Sequence, residues 1–469
     1  MGADAVTVVG GGIAGISAAL ALVDLGSKVT LFESRAHLGG RVASVRHPRM
    51  GIEIDNCQHA AFRIYDRFFQ LLGRAGAQDI VRIQNRTEIP FVSPEKKVFA
   101  SLRTGRLSPP NHMMTSMMRF PYLSMKDKLA MRKAVKAFAA EDDEGQWQLD
   151  DITFEEWLES KGQTPRTIER FFGFFTLAAL NLNISEASAA QGVMLFRNGL
   201  FGARDAFDVV AFSQDLGKAM NGSLLTALKE SGVDVRTSST VKSVAKDHVI
   251  VENQRIEHDH VVIATPPHLA ARLLKPTHSA LSEKISALEY RALIGIHAFY
   301  RGSRLPDDFH FAAMIDEPLI QMIFNRSHEL DEPIKDGLQW VSVPVSRADD
   351  YLNLSDEEIM AELKRVLECL WPEKSEVELV DHLIVRVPKA TFAPTPGSSK
   401  NRPLVDSAGQ GISLAGSYTM TGWPSTIESA TRSGLTAAAR VHNITWNCDD
   451  LWPDWPISPK RDDPDWKVI

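Results

Sequence analysis

The chain has 469 residues, of which 44% are apolar and 24% are charged, and this composition is typical of an ordinary globular protein with two or three domains. Its formal net charge is −7 and it has no basic tail, so we expect no nucleic-acid partner. No run of roughly eighteen uncharged apolar residues occurs, which argues against a membrane-spanning helix.

The first predicted elements are a strand and a helix joined by a glycine-rich turn. Residues 6–9 have the pattern of a buried parallel strand, and apolar residues recur at helical spacing from Ile13 onward. Gly10 permits a tight turn between them, Gly12 lets the backbone approach a pyrophosphate at the helix N-terminus, and Gly15 brings the helix close to the strand. This context predicts a dinucleotide-binding unit.

The next strand, at residues 29–32, delivers an acidic residue where a ribose is expected. The carboxylate of Glu33 can accept hydrogen bonds from the ribose hydroxyls. Gly39, Gly40 and Arg41 follow, and such a turn is typical of flavoproteins rather than of nicotinamide-binding domains. We therefore predict FAD. The residues expected to contact it here are Gly10, Gly12, Ile13, Ala14, Gly15, Glu33, Ser34, Gly39, Gly40 and Arg41.

Residues 55–59, Asp-Asn-Cys-Gln-His, resemble the D-N-G-Q-H motif of the hydroxysqualene dehydroxylases, a family within the phytoene desaturase and amine oxidase superfamily. The resemblance implies that Gln58 contacts the flavin. Cys57 stands where the family has glycine, so it would be strained if the loop required a positive φ. His59 is our candidate for the catalytic polar group near the flavin ring. The alternative is a structural histidine that holds the loop.

The segment from Val81 to Lys136 is rich in basic residues and contains a methionine-rich stretch at 112–125. Flexible methionines flanked by basic side chains suit an anionic membrane surface. We therefore expect peripheral membrane contact. The alternative is a helix that faces the core and has a solvated basic back.

Thr153 and Glu156 have capping-box spacing and predict the start of a helix. The following block, 171–202, again resembles the hydroxysqualene dehydroxylases, at Leu177 to Asn181 and at Gly199 to Gly202. Its charge-poor helices could form the walls of an apolar tunnel. They could equally fill a core, since burial is the usual role of apolar helices.

Residues 222–228 predict a helix, and short strands are expected at 233–235, 249–251 and 260–263. By resemblance to the superfamily, the backbone of Val241 pairs with the flavin adenine. Further strands are predicted at 292–299, 319–324 and 339–345, with a helix at 355–370 whose N-cap is Ser355.

The C-terminal part carries a second glycine-rich flavin motif. By resemblance, Gly416 and Ser417 approach the pyrophosphate and ribityl chain, and Ile427 belongs to a helix that begins near Ser425 and directs its free amides at the isoalloxazine. Squalene-type relatives more often have aspartate at position 417. The motif contains no cysteine, which predicts non-covalent FAD.

The predicted fold class is α/β, with a Rossmann-like FAD-binding domain of the glutathione-reductase and amine-oxidase type and an inserted mixed α+β substrate domain. The expected divisions are an FAD domain in three parts, 1–80, 215–275 and 385–445; a helical substrate- or membrane-facing region, 81–214; a substrate sheet, 276–384; and a tail rich in Trp, Asp and Pro, 446–469.

The resemblance implies an FAD-dependent oxidoreductase that reduces hydroxysqualene to squalene, a precursor for hopanoids and carotenoids. Two alternatives stay open: a phytoene or squalene desaturase, and an amine or protoporphyrinogen oxidase. The resemblance implies a long isoprenoid substrate and association with squalene-synthase-like enzymes. Three widely spaced cysteines predict neither a disulfide framework nor a metal site. No signal peptide is expected, so we predict a cytoplasmic protein. Its contact with the membrane would be peripheral, on the inner face.

Overall fold

The computed structural model describes residues 4–444. Within that range the strands are β1 (Ala5–Val9), β2 (Lys28–Phe32), β3 (Ser44–Arg46), β4 (Glu53–Asp55), β5 (Ala61–Phe62), β6 (Val81–Ile83), β7 (Glu88–Ser93), β8 (Val98–Arg103), β9 (Val209–Phe212), β10 (Asp234–Arg236), β11 (Val241–Val244), β12 (His248–Val251), β13 (Gln254–Glu257), β14 (His260–Ile263), β15 (Tyr290–Arg301), β16 (Phe311–Met314), β17 (Met322–Asn325), β18 (Gln339–Ser346), β19 (Glu378–Phe392) and β20 (Ile412–Leu414).

The helices within the same range are α1 (Ile13–Asp24), α2 (Asp66–Arg74), α3 (Met114–Arg119), α4 (Met125–Ala140), α5 (Asp143–Gln148), α6 (Phe154–Ser160), α7 (Pro165–Thr167), α8 (Phe174–Leu180), α9 (Ala189–Met194), α10 (Leu216–Ala219), α11 (Leu225–Glu230), α12 (Pro267–Leu274), α13 (Ser279–Ser286), α14 (Arg326–Glu329), α15 (Asp356–Leu370) and α16 (Ile427–Val441). Three π-helical segments, Ile168–Gly173, Leu195–Leu200 and Met220–Leu224, continue α7, α9 and α10. The last of these makes the predicted helix at 222–228 part of a longer helical run that begins at Leu216.

A parallel five-stranded sheet, in the order β10-β2-β1-β14-β20, forms the first layer. Its central strand, β1, is almost wholly buried, as its run of Val and Ala residues leads one to expect. Helix α16 packs across α1, and a Cβ on Gly434 would lie 2.3 Å from the carbonyl oxygen of Ala14. This close approach joins the two ends of the described chain in one domain.

A seven-stranded mixed sheet, in the order β19-β15-β18-β17-β16-β7-β8, forms the second large layer. The long antiparallel pair β19 and β15 forms one edge of this sheet. Ser355 caps the helix α15 as the sequence predicts. Region 81–214 is not helical throughout, because β7 and β8 extend this sheet through a parallel pairing of β7 with β16. The division of the chain by composition alone therefore missed two strands whose place in the sheet depends on a partner distant in sequence.

A helical cluster rich in aromatic residues packs beside β7. Phe138, Phe154, Phe171, Phe172 and Phe196 are each at most 1% exposed and contact one another edge to face, tilted or stacked. The capping box between the residues at 153 and 156 is present as predicted. The predicted tail at 446–469 lies outside the described residues.

Candidate functional site

A cavity of about 510 Å³ runs between the carboxyl end of the parallel sheet and the face of the seven-stranded sheet. Every residue proposed for the site from the sequence lines it except Gly15. A Cβ on Gly15 would lie 1.8 Å from the carbonyl oxygen of Gly10, so this glycine acts from behind the cavity by letting α1 approach β1. The cavity has a nucleotide end, a middle section and an apolar end.

The nucleotide end consists of two glycine turns lying side by side. Gly10 and Gly39 both have φ of +111°, in the left-handed region. The amide of Gly39 donates to the carbonyl of Gly11 at 2.9 Å, and a Cβ on Gly40 would lie 3.2 Å from the Cα of Gly12. Side chains would fill this space, so the glycines leave a groove in which backbone amides at the start of α1 can face a pyrophosphate.

Glu33 is 7% exposed and closes the same end of the cavity. Its Oε2 accepts a hydrogen bond from the amide of Gly11 at 2.8 Å, and its Oε1 accepts from the amide of Arg35 at 2.7 Å. The two oxygens therefore fix the loops that follow β1 and β2. Oε1 also accepts from the hydroxyl of Ser34 at 3.1 Å, whereas Oε2 keeps a lone pair for a further donor such as a ribose hydroxyl. Val241 and Ser34 line the cavity nearby, where the sequence places the adenosine.

Arg41 links the first glycine motif to the second. Its guanidinium donates to the Oγ of Ser417 at 2.9 Å and to the carbonyl of Ala390 at 2.9 Å, and Ser417 lies 3.1 Å from the Oγ of Ser425. Burial lowers the pKa of Arg41. Because Ser417 is neutral, no carboxylate pairs with Arg41 at that contact, and its charge stays available to an anionic pyrophosphate.

The C-terminal motif is organised by Arg402, whose role the local sequence did not indicate beyond its resemblance to the family. The buried guanidinium donates to the carbonyls of Thr419 at 2.6 Å and Trp423 at 2.8 Å. Burial lowers its pKa to about 10. Gly416 has φ of +141°, and a Cβ there would lie 2.6 Å from the ring of Tyr418. These contacts fix the turn that lines the middle of the cavity.

The helix α16 starts slightly later than predicted, with Thr426 as its N-cap. The side chain of Thr426 accepts from the amide of Ser429 at 3.1 Å, and both Thr426 and Ile427 line the cavity. The start of this helix therefore faces the middle section of the cavity, as the resemblance to the family implies. Buried Glu428 accepts from the amide of Phe68 at 2.9 Å and so joins α16 to α2.

Cys57 is not strained. Its φ is not among the positive values of the described chain, and its Sγ points towards the carbonyl of Ile294. Burial raises the pKa of its thiol to about 12. The residue that needs to be small is Gly295, on the strand that packs against this loop, because a Cβ there would lie 3.0 Å from the Cα of Cys57. The glycine that the loop needs is thus on β15.

Gln58 is held by an ion pair that the sequence pattern did not indicate. Its Nε2 donates to the Oε2 of Glu329 at 2.9 Å, and Glu329 pairs with Arg326 at 2.9 Å, with both charged side chains no more than 3% exposed. Burial raises the pKa of Glu329. Glu329 lies 271 positions from Gln58, so no local motif could have predicted this contact.

His59 lies in the cavity wall next to Gln58. Its Nδ1 is buried without a hydrogen-bond partner among the described residues. Burial lowers the pKa of His59, nearby Asp55 raises it, and Arg326 lowers it further. The imidazole is therefore neutral near pH 7, with one nitrogen free for a ligand. This geometry suits a hydrogen bond to a bound group better than it suits a permanent imidazolium.

The apolar end is walled by aromatic and aliphatic side chains. Of the block that was predicted to form a tunnel or a core, Phe174, Phe175 and Leu177 line the cavity, whereas Phe171 and Phe172 are wholly buried in the helical cluster. Both interpretations are therefore correct for different residues. The opposite wall comes from the seven-stranded sheet: Ile89, Leu293, Phe311, Met322, Phe324 and Pro344.

These features fit FAD. Paired glycine turns can receive the pyrophosphate, a buried carboxylate stands at the ribose position, and a helix start faces the middle section. No group of His, Cys, Asp and Glu suited to a metal ion occurs within residues 4–444.

Comparison with known proteins agrees with this assignment. A family model described as flavin containing amine oxidoreductase matches residues 13–442. Hydroxysqualene dehydroxylase of Zymomonas mobilis is 25% identical over 442 residues, which span 92% of this chain and 97% of the relative. The chloroplastic 15-cis-phytoene desaturase of Solanum lycopersicum is 21% identical over 93% of this chain and 77% of its own length.

Among solved structures, wild-type putrescine oxidase bound to putrescine matches with a TM-score of 0.71 and 18% identity, over 94% of this chain and 99% of the other. At this identity the likeness shows the fold alone. The predicted α/β fold class and the FAD cofactor are thereby confirmed.

Proposed function

Because the chain belongs to the flavin containing amine oxidoreductase family and is an FAD-dependent oxidoreductase, we propose that it acts on a long isoprenoid and reduces hydroxysqualene to squalene. The observation that carries this proposal is the chemistry of the cavity wall. Among the described residues that line it, the one acidic side chain is Glu33, at the nucleotide end. Uncharged side chains form the apolar end, and such a lining suits a neutral hydrocarbon substrate.

The same observation disfavours an amine oxidase. A protonated amine that enters an apolar cavity needs a carboxylate to offset its lost hydration. In the described part of the chain no carboxylate lines the apolar end, which Phe, Leu and Pro side chains form. The likeness to putrescine oxidase concerns the fold and carries no argument for an amine substrate.

In the proposed reaction the C–O bond of the allylic alcohol breaks, the departing hydroxyl takes a proton that comes ultimately from solvent and leaves as water, and carbon gains a hydride. Bound in its reduced form, the flavin would supply that hydride and be left oxidised. Phe174, Phe175 and Leu177 would exclude water and present apolar and π surfaces to a carbon that becomes electron-poor. Neutral His59 would donate or accept one hydrogen bond at the departing oxygen, and Gln58, held by its ion pair, would keep the loop in place.

A carotenoid-type desaturase is the second candidate. The relatives include 15-cis-phytoene desaturase and zeta-carotene desaturase of Solanum lycopersicum, at 21% and 25% identity. The same cavity would serve a desaturase, since both reactions need a flavin beside a long apolar chain. The two functions differ in the direction of electron flow.

The test is therefore directional. Photoreduced holoprotein is mixed anaerobically with hydroxysqualene, and the return of oxidised-flavin absorbance is followed together with product mass. We expect reoxidation and one squalene per flavin in a single turnover, and putrescine should not reduce the flavin of the oxidised holoprotein. If the protein ignores hydroxysqualene but desaturates phytoene or squalene with a quinone acceptor, the desaturase is correct.

A variant pair sharpens the test. Leu177→Asp places a charge in the apolar end and should abolish turnover while the protein keeps its bound flavin. Leu177→Met preserves volume and apolarity and should keep most of the activity. Equal activity of the two variants would contradict the assignment of this end of the cavity to the substrate.

A further inference from the structure

The segment 96–140 differs in charge from the rest of the chain. It contains ten Lys and Arg residues and one acidic residue, within a chain whose formal net charge is −7. The acidic residue, Asp127, is 5% exposed and accepts hydrogen bonds from the hydroxyls of Ser124 and Thr164, both at 2.7 Å. It therefore turns inward and does not offset the basic side chains at the surface.

The same segment exposes large apolar side chains. In the part of the chain that the structure describes, ten such side chains are strongly exposed, and six of them lie here, between 40% and 56% exposed. They are Phe99, Leu107, Met114, Met118, Met125 and Leu129. Single exposed apolar residues are normal, but a concentration of this kind marks an interaction surface.

Five of these side chains lie on adjoining elements, and Leu107 lies in the loop that connects β8 to α3. The edge strand β8 is joined to α3, because the amide of Arg103 donates to the Oγ of Ser116 at 3.0 Å. Helix α3 is joined to α4, because the ammonium of Lys128 donates to the carbonyl of Met118 at 2.9 Å. One surface thus includes all three elements. We call the exposed side chains of residues 98–136 the Met-rich surface.

Helix α4 shows the arrangement in detail. Its inner face buries Met131, Ala134 and Phe138 at the spacing of three and four residues. The opposite face exposes Met125 and Leu129 in its first turns and Lys or Arg at 132, 133 and 136. An apolar patch bordered by cations is the pattern of helices that lie in a membrane interface.

The Met-rich surface stands directly behind the apolar end of the cavity. Leu102 of β8 pairs with Ile89 of β7, and the side chain of Ile89 lines the cavity. Met117, on the inner side of α3, packs into the aromatic cluster that supplies another wall. One strand pairing and the inner side of α3 thus separate this surface from the walls of the apolar end.

We propose that the Met-rich surface docks this protein on an anionic lipid bilayer, from which the enzyme takes its apolar substrate. A bilayer offers anionic headgroups and an apolar layer together, which matches the two components of the surface. No described helix is long and apolar enough to cross a membrane, so the contact is peripheral. The delivery of substrate rests on the proposed function, whereas the docking does not.

Flotation of the flavin-loaded protein tests the docking without any substrate. It is mixed with vesicles of phosphatidylcholine alone or with added phosphatidylglycerol, at low and high salt. We expect binding to anionic vesicles that weakens with salt. Because each basic residue at such a surface is worth about a five-fold change in partitioning, replacing Lys126, Arg132, Lys133 and Lys136 by Gln should reduce binding more than about 100-fold.

Two controls match these changes. Replacing the exposed lysines 229, 275, 284 and 335 by Gln removes the same charge elsewhere and should change binding little. For the apolar component, Met118→Ser with Leu129→Ser should weaken binding at high salt, whereas Leu379→Ser with Leu404→Ser, at other exposed leucines, should not. Unchanged flavin absorbance and melting temperature establish that each variant is folded.

Equal recovery with neutral and anionic vesicles, equal loss in test and control variants, or self-association through this surface without vesicle binding would overturn the proposal. Substrate delivery is tested separately. The variants of the Met-rich surface should lose turnover of substrate carried in vesicles and keep turnover of substrate in detergent. Docking without turnover of hydroxysqualene would refute the proposed function and leave the membrane surface standing.

Discussion

Glu33 has two tasks at the nucleotide end, and its variants should separate them. A glutamine at this position presents one oxygen and one NH₂ group where the structure offers two backbone donors, at Gly11 and Arg35. We expect Glu33→Gln to weaken FAD binding by about 1–3 kcal/mol, since a charged hydrogen-bond partner is lost. Titration of the apoprotein with FAD measures this.

Ser34→Ala is the graded control for Glu33. It removes one hydrogen bond, which the hydroxyl of residue 34 donates to Oε1 at 3.1 Å, and leaves both backbone contacts and the carboxylate intact. Its effect on FAD affinity should therefore be smaller. An equal loss in the two variants would mean that the carboxylate is not what determines FAD affinity.

His59 should act as a neutral group. Because burial lowers its pKa, activity should show no loss of a protonated acid as the pH rises through 6.5, the ordinary value for histidine. His59→Gln, which keeps a donor and an acceptor, should retain more activity than His59→Phe. The pH profile of kcat for the three proteins checks this. A wild-type profile that falls through pH 6.5, and flattens in both variants, would instead identify an imidazolium acid.

At the scale of elements, the contact between α1 and α16 sets the position of the first glycine turn. Gly434→Ala would place a Cβ 2.3 Å from the carbonyl oxygen of Ala14 and 2.8 Å from the amide of Ala18, so α1 must move. We expect a loss of stability of about 1–3 kcal/mol from overpacking, together with weaker FAD binding. Thermal unfolding and FAD titration report the two effects.

Gly222 provides the comparison for Gly434. It also lies in a helical run, but a Cβ there has no neighbour within 4 Å, so Gly222→Ala should be neutral or stabilising by up to about 1 kcal/mol. If the two substitutions have equal effects, general helix propensity, and not the close contact of the helices, explains them.

Elements were predictable where the information is local. The strand before Gly10, the helix capped by Ser355 and the glycine motifs follow from periodicity and turn chemistry, and they agree with the structure to within a few residues. The addition of β7 and β8 to the second sheet was not predictable, because strand pairing depends on partners more than 200 positions away. The same holds for the contact of Gln58 with Glu329.

At the scale of the whole molecule, buried acids determine how stability depends on pH. Burial raises the pKa of Asp215 from 3.8 to about 7, and its Oδ1 has no hydrogen-bond partner among the described residues. The folded protein thus holds a proton that the unfolded chain releases near pH 4, as expected for a free aspartate. Between these values the free energy of unfolding falls as pH rises.

Asp215→Asn removes this dependence. The gain in melting temperature of the variant over the wild type should grow as pH rises from about 4 to 7, the two pKa values that bound the effect, and stay constant above that. Asp247→Asn is a control at an exposed aspartate whose pKa is lowered by its bond to His248. It should lower the melting temperature, by an amount that varies little between about pH 4 and 7 because Asp247 is largely ionised in both states over that range. If the difference in melting temperature between Asp215→Asn and the wild type does not vary with pH, the raised pKa assigned to Asp215 is wrong.

The parallel sheet has β1 and β2 from the start of the described chain and β20 from near its end, with α16 closing over α1. A ribosome makes these parts in that order, so a nascent chain that has not yet emerged to residue 411 lacks both the last strand and the second glycine motif. Flavin loading must therefore follow translation of nearly all of the described chain. Ribosome-bound chains stalled at position 400 should therefore retain no FAD after free FAD is washed away. The growing protein has to avoid aggregation during synthesis without help from its cofactor.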